Sequence, residues 1–257
     1  YNFEVIPSLE PHLTKAVPLK DMGRFRHEGV AFDKENGYVY QTEDRSDSLF
    51  YRFIPKVNEK LSKGGKLQVL SFKDWRGIDT SNWKKKSIKV GNRYKVRWLD
   101  INNVNPPDDD LRYRGKNIGA ATFARGEGIF CSNNIIYFTA TTGGEKKTGQ
   151  IWRYTPDRNG SDGFIELFYE SNDSDTLNMP DNIIISPKGH IFLCEDGKGR
   201  DRLVCIKPNG SIYYLASNAL NNEEFAGMAF SPDGSILFVN IYSPTMTLAI
   251  KGPWNRI

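Results

Sequence analysis

Four segments of this chain repeat one pattern, and no other feature constrains its fold as strongly. They are EGVAFDKENGYVYQTED from Glu28, EGIFCSNNIIYFTATT from Glu127, DNIIISPKGHIFLCED from Asp181 and AGMAFSPDGSILFVNI from Ala226. Each holds a short apolar stretch, a turn built on Gly, Asn or Pro, and a second stretch of β-branched and aromatic residues, which together make a β-hairpin. Third stretches follow in three of them: LFYRFIP at Leu49, QIWRYTP at Gln150 and RLVCIKP at Arg202. All three end in proline, which lacks the N–H needed to continue a central strand. The four starts are 99, 54 and 45 residues apart. A period of about 45 residues with four strands per unit is that of a β-propeller blade. The long first interval then holds one blade and an insertion over residues 73–124, and insertions of this length decorate a rim or cover a site. The expected fold is all-β: a single β-propeller domain over residues 1–257, contributing about four blades plus part of another.

The partial blade is expected at the N-terminus. Tyr1 to Pro7 (YNFEVIP) reads as the proline-ended third strand of a preceding blade, and Val17 to Arg24 as its outer strand or the connection onward. Its inner strands are not in the sequence, and uncovered strand edges are costly. A missing N-terminal propeller segment, or a second chain, is therefore an expected partner.

The innermost strand of every blade lines the channel, so matched positions at its start form a ring around the axis. Three of the four are acidic: Glu28, Glu127 and Asp181. A second set, Glu43, Thr141, Glu195 and Asn240, falls 15, 14, 14 and 14 residues later, where an antiparallel hairpin returns to the same pole. Asp44 and Asp196 add two more carboxylates. Acids gathered this closely repel one another and need a compensating cation, and oxygen-only donors suit hard ions such as Ca²⁺, with iron or manganese also possible. Arg24, Arg26, Arg45 and Arg125 flank the acids. Arg125 stands two residues before Glu127, on the same side of an extended strand, where its planar fork suits phosphate or carboxylate oxygens. His27 alternates away from Glu28 and is expected to pack rather than ligate.

Composition narrows the partners. The formal charge of +4, from 35 basic and 31 acidic residues, gives no case for nucleic acid. There is no apolar run of about 18 residues, so no membrane span is expected. Cys131, Cys194 and Cys205 lie among strand-like apolar residues and read as buried thiols rather than a disulfide scaffold.

GRFRHEGVAFD, VYQTEDRSDSLFYRFIP, WLDINNVNPPDDD, FARGEGI, MPDNIIISPKG, LCEDG, FAGMAFSPDG and the closing GPW occur in this order from Arg24 to Trp254. Together they resemble the PhoX family of bacterial alkaline phosphatases. That resemblance implies a six-bladed propeller in the full family protein. It also implies a central cluster of Ca²⁺ and Fe³⁺, hydrolysis of phosphate monoesters in phosphate acquisition, and a periplasmic or secreted location. By motif it places metal ligation on Glu28, Glu127, Asp181, Glu195 and Asp196, to which the repeat adds Glu43. Arg125 is implied to bind phosphate, with Glu127 beside it in catalysis. The family's iron-binding cysteine stretch, Trp-Gly-Thr followed by Cys-Glu-Glu, is absent here. Two alternatives stay open: a lactonase-type calcium propeller hydrolase, which PDN, SPDG and Asn240 would suit, and a non-catalytic calcium-stabilised binding module, which loss of the cysteine stretch would suit.

Overall fold

The computed structural model describes residues 1–254. Nearly every element in it is a β-strand. A two-residue ladder pairs β1 (Phe3–Glu4) with β2 (Val17–Pro18). The first full blade is β3 (His27–Asp33), β4 (Tyr38–Glu43), β5 (Tyr51–Pro55) and β6 (Gly65–Phe72). After β7 (Arg93–Asp100) and a two-turn helix α1 (Leu111–Asn117), the second blade runs β8 (Gly126–Ser132), β9 (Ile135–Ala140), β10 (Gln150–Pro156) and β11 (Gly163–Glu170). A third blade holds β12 (Pro180–Ile185), β13 (Ile191–Glu195), β14 (Arg202–Ile206) and β15 (Ile212–Ser217). The last, with three strands, is β16 (Phe225–Phe230), β17 (Ile236–Ile241) and β18 (Met246–Lys251). The chain is thus an all-β propeller array of four blades.

Turn chemistry sets each inner hairpin. Asn133 and Asn134 both adopt left-handed φ, 48° and 58°, the backbone that a two-residue hairpin turn demands and that asparagine tolerates. In the first blade Asp33 caps its own turn, its carboxylate accepting from the Glu35 N–H at 3.0 Å and the Asn36 amide at 2.8 Å.

Strand β7 pairs with β6 on one side and β11 on the other, so the first two blades merge into one nine-stranded sheet. Both outer edges are thereby covered, which removes the unpaired backbone groups that make an edge a liability. Between these blades lies an aromatic core of Tyr40, Phe50, Trp98, Phe138, Trp152 and Tyr154. Phe50 stacks on Phe138 at 4.4 Å, and the Trp98 indole donates to the Tyr154 hydroxyl at 3.0 Å.

The inner strands pack in series, β3 on β8, β8 on β12 and β12 on β16. Glycine permits that approach. A Cβ on Gly128 would lie 2.5 Å from the Asp181 carbonyl oxygen, 2.8 Å from Ile183 N and 2.9 Å from Asn182 Cα, all backbone atoms of the next strand. Gly128→Ala is therefore expected to destabilise the protein by about 2 kcal/mol through overpacking, read as a lower urea midpoint. An unchanged midpoint would mean that β8 and β12 are not held this close.

Every inner strand also carries a register shift where the acids begin: between His27 and Val30, Gly126 and Ile129, Pro180 and Ile183, and Ala226 and Ala229. Such bulges re-aim side chains at a strand end. No helix among the described residues is long and apolar enough to cross a membrane.

Candidate metal centre

Three acids at the mouth of the first two blades present oxygens within 4.8 Å of one another: Glu28 on β3, Asp44 just past β4, and Glu127 on β8. A second trio, formed by the third and fourth blades, is Asp181 on β12, Asp196 just past β13, and Glu224 just before β16. The two trios share one electrostatic field. Glu127 is pushed up to about 10, first by burial and then by the charges of Asp181, Asp44 and Glu28. Asp181 rises to about 6, burial leading, with Asp196 and Glu28 adding to it. Glu224 rises to about 7 through burial and the neighbouring Asp196 and Asp181. These acids are held together against their mutual repulsion, and every donor is a carboxylate oxygen. Such a set fits a hard cation in each trio.

Arg125 ties together two acids of the first trio. Its φ of 59° is left-handed, and its N–H donates to the Arg45 carbonyl while its own carbonyl accepts from Thr141 N. From there Nε reaches Asp44 at 2.8 Å and Nη2 reaches Glu127 at 2.6 Å. Burial works against the guanidinium's charge, but the hydrogen bond to Asp44 and the attraction of Glu127, Asp44 and Asp196 hold it above its ordinary value. Asp44 is likewise buried against its charge, yet Arg125 and Arg26 keep it below the usual carboxylate range. A backbone in this region costs a non-glycine residue roughly 1–2 kcal/mol, and here it aims a guanidinium that, alone among the described residues, touches both Asp44 and Glu127.

Two of the acids singled out in the sequence turn elsewhere. Glu43 is wholly buried and faces the interior of its own blade, where it accepts from Leu49 N and the Tyr51 hydroxyl, each at 3.0 Å. Its matched residue, Glu195, accepts from Asn178 N at 2.8 Å and takes Arg202 through Nε and Nη2, both at 2.7 Å. Neither enters a trio. The reason is strand alternation: the last residue of β4 or β13 points inward, and the next, Asp44 or Asp196, points to the pole. Glu195→Ala is accordingly expected to cost about 2 kcal/mol of stability by removing the hydrogen bonds this carboxylate accepts from Arg202 and Asn178 N. Metal content should stay at the wild-type level, and its loss would return Glu195 to the ligand set.

Glu224 was not expected. The fourth repeat has Ala226 where the others have an acid, but Glu224 supplies its carboxylate from two residues earlier. Its signal is the Glu223-Glu224 pair standing directly before FAGMAF. In the structure, Tyr242 N donates to the Glu224 carbonyl as Asp44 N does to Arg26, Thr141 N to Arg125 and Asp196 N to Met179. Glu224 thus occupies the blade position of Arg125. His27 stays out of the trios, its ring tilted 30° to Phe25 at 3.7 Å with Nε2 against the Gly23 carbonyl, and burial lowers it to about 4.

Comparison with known proteins bears on the fold. The solved structure "Pseudomonas fluorescens PhoX in complex with vanadate, a transition state analogue" superposes with a TM-score of 0.68 at 22% identity, over 89% of this chain and 50% of that one. The chain therefore spans half the length of that relative. A gluconolactonase from Xanthomonas campestris, XC5397, gives a TM-score of 0.48 at 12% identity over 91% of this chain and 60% of its own. No curated protein sequence matches. The family described as alkaline phosphatase PhoX matches residues 1–245, and the chain belongs to that family.

Proposed function

We propose that this chain carries the metal-dependent phosphatase site of a phosphate monoester hydrolase, at the two carboxylate trios. The observation that carries the reading is Arg125, which spans Asp44 and Glu127, two of the six carboxylates in the trios. The vanadate bound by the Pseudomonas fluorescens relative supports it, since vanadate stands for a phosphoryl group in transfer.

In this reading Glu28, Asp44 and Glu127 hold one cation, and Asp181, Asp196 and Glu224 another. The cations are calcium and iron, as the oxygen donors and the family relation suggest. Bound there, they would supply Lewis acidity toward phosphate oxygens and lower the pKa of a water. The chain's own part is positional. Arg125 offers planar N–H donors to equatorial oxygens of the phosphate, and its anchors on Asp44 and Glu127 fix its direction before substrate arrives. Gly126 and Gly128 leave backbone on both sides of Glu127 free of side chains. Among the described residues no thiol joins a trio, so oxygen alone would hold iron here.

Blades beyond these four would complete the ring. Val30 is 52% exposed, whereas its matched residues Ile129 and Ile183 are 8% and 3% exposed. At the other end, a Cβ on Gly227 would meet only the Asn240 side chain, not a further strand. Both faces suit further polypeptide with the same blade register. Light scattering tests this: a fully active protein consisting of one copy of this 257-residue chain would overturn it. A periplasmic or secreted location goes with the family relation and is checked by cell fractionation.

The decisive experiment pairs elemental analysis with a phosphatase assay of the native, metal-loaded protein. Iron with calcium and release of phosphate from a monoester are expected. A single calcium, with lactone opening instead of phosphate release, overturns the reading.

A further inference from the structure

A cavity of about 310 Å³ opens beside the first trio, lined by Tyr1, Arg24, Phe25, Arg26, Arg45 and Asp109. Three guanidiniums face one carboxylate there. Asp109 turns Oδ2 to Arg45 at 2.6 Å and to Arg112 at 3.0 Å, while its Oδ1 is buried without a partner, so one acceptor stands against the three guanidiniums. Arg24 has no carboxylate partner among the described residues. One of its nitrogens is held by two backbone carbonyls, Pro106 at 3.2 Å and Pro107 at 2.8 Å, which orient the group without neutralising it. The Nε of Arg45 is buried with no hydrogen-bond partner. The cavity is thus positively charged with donors unspent, and the buried Phe25 ring forms part of its wall.

Its place relative to the trio is direct. One carboxylate separates them: Asp44 gives Oδ1 to Arg125 at 2.8 Å and Oδ2 to Arg26 at 3.2 Å. The backbone ties the walls together as well, with Asp44 N on the Arg26 carbonyl and Arg125 N on the Arg45 carbonyl, each at 3.0 Å. A phosphate held at the trio would thus lie one carboxylate, Asp44, away from Arg26. Guanidiniums arranged in this way recognise oxyanions through paired N–H donors.

We propose that this cavity is a leaving-group subsite, which selects phosphate monoesters whose alcohol part bears a second oxyanion, a phosphate or a carboxylate. The inference rests on the phosphatase reading above and narrows its substrate class. Monoesters with neutral alcohol parts can use the trio alone, whereas those with a second anion also gain the arginines.

The test compares matched substrates on the native, metal-loaded protein: a hexose bisphosphate against the hexose monophosphate, and phosphoglycerate against glycerol phosphate. The expected result is a kcat/KM at least about tenfold higher for the doubly anionic member, a ratio that Arg24→Gln and Arg45→Gln each bring toward one. Arg45→Gln also loosens Asp109, so Arg24→Gln, which breaks no ion pair, is the cleaner variant. A gain in the first pair alone assigns the subsite to phosphate, and in the second alone to carboxylate. Equal kcat/KM within both pairs overturns the proposal, as does a ratio that neither variant changes. Should no monoester be hydrolysed at all, the phosphatase reading fails separately. Calorimetric binding of phosphoglycerate against glycerol phosphate then decides the subsite: tighter binding lost in Arg24→Gln supports it, and equal affinities sink it.

Discussion

Glu127→Ala is expected to lower kcat/KM for phosphate monoesters by about 10³-fold or more. Glu127 belongs to the first trio, bonds Arg125 and lies in the field of Asp181 on the second trio. On the proposed reading its removal takes away an oxygen donor to a cation, and it takes away one of the two carboxylates that bond Arg125. The fold should survive, because the strand is held by backbone pairing to β9 and by its close approach to β12, neither of which uses this carboxylate. Without metal, burial and three neighbouring acids set the Glu127 charge against folding, so the variant's melting midpoint in chelator should equal or exceed that of the wild type. Circular dichroism and kinetics on one preparation separate these outcomes. Wild-type turnover in the variant would remove Glu127 from the site.

Metal removal should destabilise the protein in a pH-dependent way. In the metal-free chain Asp181, Glu224 and Glu127 are raised to about 6, about 7 and about 10, each above its unfolded value. Between the unfolded and folded values, the folded chain holds protons that the unfolded chain has lost, so stability falls as pH rises. The contribution is intact below about pH 4 and is lost as pH climbs through the three folded values in turn. A cation reverses this by favouring the charged forms. Melting midpoints in chelator should therefore drop from about pH 5 to about pH 9, while calcium-loaded protein stays nearly level over that range. At a thousandfold excess over its dissociation constant, each bound cation adds about 4 kcal/mol. Differential scanning calorimetry at several pH values measures the gap, and midpoints indifferent to chelator at every pH would show that the trios hold no metal.

How much of this was legible in the sequence follows from which forces act locally. Hairpin turns, proline-ended third strands and the blade period depend on residues a few positions apart, and from them the all-β blades and the common pole of Glu28, Glu127 and Asp181 could be read. The extra length between the first two repeats was visible, but not β7, because pairing with β6 and β11 joins segments far apart in the chain.

Which acid of each adjacent pair faces the pole was beyond the sequence. Glu43 and Asp44 are both acidic, as are Glu195 and Asp196, and composition treats the two members alike. Strand ends and bulges decide between them, turning Glu43 to the Tyr51 hydroxyl and Glu195 to Arg202 while Asp44 and Asp196 join the trios. Glu224 entered for the same reason, since the path into β16 carries its carboxylate to a place that sequence register gave to Ala226. The repeat determined that carboxylates would meet at one end of the blades. Their division into two groups of three, one around β3 and β8 and the other around β12 and β16, was decided by the tertiary structure, because a side chain reaches a few ångströms and its neighbours within that reach are set by the backbones on which it stands.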